Sequence, residues 1–258
     1  ESAHPVPDAA GLKASKKLME LVSGLTKDDL VIALICGGGS ALLPAPAGAL
    51  TLDDEIAVNK ELLASGAPIS AMNAIRKHVS QIKGGRLAAL AFPAKVVSLI
   101  VSDIPGDIAS YVASGPTVPD ANSRADALKL IEQYRMTFPS EVMRHLNSPE
   151  ADAPKPSEPM FVNNEVHIIA SSAVSLQAAA DEAKRQGVEA VILSDAIEGE
   201  AREAATNLEQ AMRAESTRAL TQLERRHREE VEELSARLRV GSGTSVSCAR
   251  CPGSAGSW

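Results

Sequence analysis

Three short stretches of the chain hold residues whose types and spacing suit chemistry on an anion. The first is Gly37-Gly38-Gly39-Ser40, directly after an apolar run, Leu30 to Cys36, that reads as a buried strand. Glycines there let the backbone take positive φ and aim successive N–H groups at one point, which makes a phosphate or carboxylate cradle. A plain tight turn uses the same residues. The second stretch carries Asn73, Arg76, Lys77, His78, Ser80, Lys83, Gly84, Gly85 and Arg86. Read as one helix, it puts Asn73, Arg76, Ser80 and Lys83 on a shared face, beside an apolar stripe of Met72, Ile75, Val79 and Ile82. A cationic, amide-bearing stripe next to a buried one suits a carboxylate or phosphate at a cleft edge. A solvated helix face would look similar, but a surface helix gains nothing from two glycines after Lys83. His78 reads as a structural or surface residue.

The third stretch is Ser102-Asp103-Ile104-Pro105-Gly106-Asp107, followed by Ser114-Gly115-Pro116-Thr117. Two carboxylates four apart can hold Mg²⁺ or deprotonate a hydroxyl, although either Asp alone is equally a turn or cap residue. Asn163-Asn164 and Ser194-Asp195 are candidates for the same crevice, but singly they read as turns. Cys248-x-x-Cys251 has a metal-ligand spacing without a second pair, and structural zinc takes four ligands. Two nucleotide motifs are excluded. Leu42 stands where the dinucleotide fingerprint needs a third Gly or Ala, and Pro44 and Pro46 would interrupt its helix. No Gly-Lys pair exists for a Walker A loop.

The elements that must position these residues alternate between short apolar runs and helical patterns, as in a parallel sheet wrapped by helices. Strands are expected at Leu30–Cys36, Ala94–Ser102, Val166–Ala170 and Glu189–Leu193. Helices are expected at Ala10–Val22, Asp53–Ala64, Ser70–Ala91, Ala125–Tyr134, Ser140–Leu146 and Ser172–Gln186, the last closed by Gly187. Asn147 to Pro159 holds four prolines and reads as a loop. The fold class expected is α/β: a Rossmann-like, open, mostly parallel sheet with helices on both faces and an aberrant C-terminal helix. Residues 1–205 form the α/β domain. Residues 206–240 form a Glu/Arg-rich helix, with Leu220, Leu223, Val231, Leu234 and Leu238 at mostly helical spacing. Residues 241–258 read as a disordered tail.

Composition narrows the class further. The 258 residues carry a net charge of −7, and aromatic residues are 2% of the total, which argues against a basic or base-stacking nucleic-acid surface. The longest apolar run is too short to cross a bilayer, and the polar, Pro-rich start does not read as a secretory signal. Three cysteines cannot build a disulfide framework, so a reducing cytoplasm is the expected setting.

Taken together, these stretches resemble the type II glycerate 2-kinases, also called MOFRL-associated glycerate kinases; some members are named hydroxypyruvate reductase. The resemblance rests on five segments. They are His4-Pro5-Val6-Pro7-Asp8 with Gly11, Gly37 to Leu42, Asn73 to Arg86, Ser102 to Asp107 with Ser114 to Asp120, and Glu198 to Glu203. It implies an ATP- and Mg²⁺-dependent phosphorylation of glycerate at the 2-hydroxyl. Glycerate and a nucleotide are then the partners, with no nucleic acid or membrane and with a homo-oligomer left open. On this view Gly37, Gly38, Gly39, Ser40, Asn73 and Ser80 bind the substrate or a phosphate. Arg76 and Lys83 neutralise its charge, Asp107 serves catalysis and Asp103 the metal, although the residues themselves leave the two aspartates interchangeable. The resemblance also implies an earlier glycine loop with a lysine, and later Gly-Gly-Glu-Thr and Gly-Arg-Asn stretches, none of which this sequence contains. The polypeptide alone is therefore expected to be inactive or nearly so. The alternatives are a nicotinamide-dependent hydroxypyruvate reductase and a non-catalytic interaction module.

Overall fold

A computed structural model describes residues 2–192, 194, 195 and 201–241. The chain divides into two compact units, Glu1–Ala196 and Ile197–Trp258. In the first, helix α1 (Ala9–Val22) starts on Asp8, whose carboxylate accepts the Gly11 N–H at 2.8 Å. Strand β1 (Leu30–Cys36) follows, then the four-residue helix α2 (Gly39–Leu42). Helix α3 (Leu52–Ala64) opens with a capping box between Thr51 and Asp54, a device worth about 1 kcal/mol. Next come α4 (Ile69–Arg76), α5 (Arg86–Ala91) and β2 (Lys95–Val101). A second capping box, Ser123 with Asp126, starts α6 (Arg124–Gln133). Then follow α7 (Ser140–Asn147), β3 (Glu165–Ala170) and α8 (Ser172–Arg185). The second unit contains α9 (Ala201–Gly241).

The strands form one parallel sheet in the order β1-β2-β3, with Leu30 opposite Lys95 and Val97 opposite Glu165. Opposite residues share a face in such a ladder. Val31, Ala33 and Val96 therefore point together into a core completed by Val22 of α1 and by Leu87, Ala88 and Ala91 of α5. A separate helical core joins Val58 and Leu62 of α3, Ile75 of α4, Ile131 of α6, and Val142 and Leu146 of α7.

The α/β class and the parallel sheet agree with the sequence; four details do not. The strand before the triglycine is covered on one face only: Leu30, Ile32 and Leu34 on the far face are 58%, 59% and 77% exposed. Among the described residues, the helix cover expected on both faces is seen on one, where α1 and α5 pack. Glu189 to Ile192 joins no ladder; the chain leaves α8 through Gly187 in the left-handed region, and the Val188 N–H still bonds back to Ala183 O at 2.9 Å. Leu193 lies outside the described residues, as do residues 242–258 of the expected tail, both CxxC cysteines and Glu198 to Glu200.

The fourth detail concerns the Ser70–Ala91 helix, which breaks. After Arg76 it tightens to a 3₁₀ turn, and Ser80 is extended at φ −126°, ψ 148°, bridging to Pro46. Gly84 and Gly85 then turn left-handed, at φ 66° and 82°. Their N–H groups bond to Ser114 O and Gly115 O at 3.0 and 2.7 Å. Those two glycines serve a backbone clasp, not an anion. Ile82 accordingly packs in the sheet core and not with Ile75.

Candidate functional site

The register that pairs Cys36 with Val101 brings the loops after β1 and β2 side by side at the carboxyl edge of the sheet, the usual place for ligands in open parallel sheets. Their approach is close: a Cβ on Gly37 would fall 1.6 Å from Asp103 Oδ2. Gly38 takes φ 74°, and the chain enters α2. Beside this turn lies a cavity of about 250 Å³, into which Gly38, Ser40, Asn73, Arg76 and Asp103 all project.

A chain of hydrogen bonds holds the polar side of the cavity. Ser40 Oγ meets Ser114 Oγ at 2.8 Å, and Ser114 donates to Asn73 Oδ1 at 2.8 Å. Asn73 donates to Tyr111 O at 3.1 Å. Arg76 Nε donates to Asn59 Oδ1 at 3.0 Å, and a terminal Arg76 nitrogen reaches Asn73 Oδ1 at 3.4 Å. Asn59 is itself fixed through its donation to Glu55 O at 2.9 Å. Arg76 is 8% exposed, and among the described residues no carboxylate lies within ion-pair distance. Burial pulls its pKa below the ordinary arginine value, and the nearby Glu55 charge partly offsets this. A guanidinium has five donors and stays charged in a protein, so the arrangement leaves a buried cation with spare N–H groups facing a small cavity.

The other cations of the same stretch are occupied. Lys83 Nζ binds Glu55 Oε1 at 2.7 Å with both side chains 2% exposed, and Glu55 Oε2 also accepts the Ala45 N–H at 2.9 Å. Lys77 pairs with Asp120 and donates to Asn122 O. Arg86 donates to Ala151 O and Asp152 O. Ser80 is fully buried, with its Oγ accepting the Ile82 and Lys83 N–H groups. The structure therefore sets Lys83 and Ser80 outside the cavity: once the helix breaks at Lys77 they no longer share a face with Arg76. Gly37 and Gly39 shape the turn from behind, Gly39 against Ala113. Asp107, at φ 51°, is not on the lining. Nor are Asn163, Asn164, Ser194 and Asp195; Asn164 instead accepts the Val96 N–H at 2.9 Å.

Asn59 and Ala113 lie outside the motifs read from the sequence, whereas His4, Pro5 and Ser114 stand in those motifs without a site role. Ala113 and Ser114 have φ 51° and 63°, and such left-handed non-glycine backbone tends to collect at functional sites. Asn59 had a signal: with Glu55 it forms an i, i+4 polar pair on the buried stripe that Val58 and Leu62 continue. His4 and Pro5 also reach the cavity, brought there by the segment that Asp8 anchors. Among the described residues no three His, Cys, Asp or Glu side chains converge as a metal cluster, and no helix is long and apolar enough to cross a membrane.

Comparison with known proteins bears on the fold and the family. A putative hydroxypyruvate reductase of Agrobacterium vitis is 51% identical over 203 residues, which are 79% of this chain and 45% of that protein. The D-glycerate 2-kinase of Thermotoga maritima is 38% identical over 213 residues, 83% of this chain and 49% of the relative. The crystal structure of glycerate kinase from Thermotoga maritima superposes with a TM-score of 0.64 at 39% identity, covering 72% of this chain and 44% of that one. The chain thus spans about half the length of these relatives. The family model described as "Domain of unknown function (DUF4147)" matches residues 1–147, more than half of the sequence. With the fold and the family model in accord, the chain belongs to the DUF4147 family, the N-terminal domain of the type II glycerate kinases.

Proposed function

We propose that this chain supplies the acid-binding part of a glycerate 2-kinase, in which the 2-hydroxyl of glycerate takes the terminal phosphoryl group of ATP, releasing ADP and 2-phosphoglycerate. The observation that carries the reading is Arg76: a buried guanidinium with no carboxylate of its own among the described residues, held by Asn59 and Asn73 over a cavity with room for a three-carbon acid. Its spare N–H groups suit a bidentate carboxylate contact. The backbone amides of the Gly38 turn offer further donors to the same ligand, while the Ser40 hydroxyl gives its proton to Ser114 Oγ. Relatives named glycerate kinase support the choice of acid.

Asp103 is the carboxylate on the lining. One carboxylate suits Mg²⁺ shared with phosphate oxygens and water, though not a self-contained metal cage. When bound there, the ion would neutralise charge on the transferring phosphoryl group. At about 250 Å³ the cavity does not suit a whole nucleotide, so no residue here is assigned to the ATP base or ribose. Within the cavity, Arg76 fixes the acid's carboxylate, and that fixes where its hydroxyl points. Phosphoryl transfer passes through a loose transition state, so such positioning carries much of the rate. Lys83 acts at one remove, by neutralising Glu55 on the helix that orients Asn59.

Calorimetric titration of glycerate into the chain tests the reading. Saturable binding is expected, weakened about tenfold or more in Arg76→Ala, while NADH consumption with hydroxypyruvate stays flat. Glycerate affinity indifferent to Arg76, or steady NADH oxidation, would overturn it.

A further inference from the structure

Helix α9 has 41 residues, about 60 Å at 1.5 Å per residue, and a run of its apolar side chains is open. Leu220, Leu223, Val231 and Leu234 are between 48% and 61% exposed. With His227 they form one stripe at steps of three, four, four and three. Charge along the same helix is blocked. Arg225, Arg226 and Arg228 come first, and Glu229, Glu230, Glu232 and Glu233 follow at once. Helical geometry sets Arg226, Glu230 and Glu233 along one border of the stripe, and Glu224 and Arg228 along the other, with Glu232 on the outer side. Arg225 lies on the outer side, where it bonds Glu229 of its own helix at 3.1 Å.

We infer that α9 is a self-association surface, and that its occupant is the α9 of a second copy of this chain, packed antiparallel about a two-fold axis between Arg228 and Glu229. That axis sets Leu223 against the partner's Leu234 and, within one residue, His227 against the partner's Val231. It brings Arg226 beside the partner's Glu230 and Glu233. The same patch serves both copies, as a two-fold interface requires. A parallel, in-register pair would instead lay each acidic block against itself, and like charges bordering a coiled-coil seam oppose pairing. Two stripes packed this way take out of water the leucines that one helix leaves exposed.

Sedimentation equilibrium of the full chain at micromolar concentration is expected to give twice the chain mass. Two charge variants keep the test independent of any folding defect: Arg226→Glu, and Glu230→Lys with Glu233→Lys. Each alone should self-associate about tenfold or more weakly, and their equimolar mixture should recover dimers. Direction is read by cross-linking in a background with Cys36→Ser, Cys248→Ser and Cys251→Ser. There Leu223→Cys mixed with Leu234→Cys forms an intermolecular disulfide, whereas Leu223→Cys alone does not, since its two copies lie well beyond disulfide reach. A monomer at every concentration, a dimer indifferent to both charge variants, or self-cross-linking of Leu223→Cys would overturn the inference.

Discussion

Arg76 and Lys83 are both buried cations seven positions apart, yet their surroundings give them opposite tasks. Lys83 neutralises Glu55, a carboxylate whose other partner is one backbone N–H. Lys83→Met leaves that charge uncompensated in the interior, which typically costs about 3–5 kcal/mol; a large fall in the urea midpoint is expected, visible without any ligand. Arg76→Ala should leave that midpoint much closer to wild type and act on acid binding. His78 supplies a pH handle. It is fully buried, its Nδ1 lies 2.8 Å from Ala151 O, and its Nε2 has no partner. Burial, with Lys77, Arg86 and Lys155 adding repulsion against the Ala151 bond, brings its pKa down from 6.5 to about 4. The unfolded chain therefore binds more protons between pH 4 and 6.5, so stability is full above that window and declines as pH falls through it. By this group alone, unfolding free energy at pH 5 should be about 2 kcal/mol below that at pH 7. His78→Asn should remove this pH-dependent part in paired urea titrations. The residue types of the site were legible: Gly38, Ser40, Asn73, Arg76 and Asp103 stand in motifs that suit an anion. What Lys83 and Ser80 do was not, because Glu55, which takes Lys83, and Pro46, which bridges to Ser80, are distant in sequence.

At the scale of elements, most boundaries follow from local chemistry: Asp8, Thr51 and Ser123 cap α1, α3 and α6, and Gly187 follows the end of α8. The missed break after Arg76 has a physical cause. Apolar residues from Met72 to Ile82 keep a helical period, but Val79 and Ile82 belong to different cores, and periodicity cannot tell one buried face from two. The exposed far face of β1 was equally hidden, since an apolar run reads the same with one face covered as with both. The junction between β1 and β2 makes a sharper test. Gly37 has no room for a methyl group, but the obstruction is the tip of the Asp103 side chain and not backbone. Gly37→Ala is therefore expected to swing Asp103 away at small cost in stability. Acid binding through Arg76 should survive while any Mg²⁺-dependent step is lost. Calorimetry with glycerate, run beside a kinase assay in a full-length relative carrying the equivalent change, would show that split; loss of both together would mean that the turn itself had collapsed.

For the whole molecule, the two units divide the physical work. Every buried residue of the two hydrophobic clusters among the described residues lies between Val22 and Leu146, so neither core draws on the chain beyond Ala196. The cavity is likewise lined entirely from the first unit, between His4 and Ser114. Stability in a protein of this kind comes mainly from apolar surface removed from water. Cutting the chain after Ala196 should then change the unfolding free energy by no more than about 0.5 kcal/mol, the range of surface changes that touch no core. Glycerate affinity should be retained in the shortened chain, while self-association through α9 should vanish. Urea unfolding, calorimetry and sedimentation on residues 1–196 read the three quantities separately. An insoluble or unfolded fragment would show that the second unit contributes to the first one's stability, through contacts that the two cores do not contain.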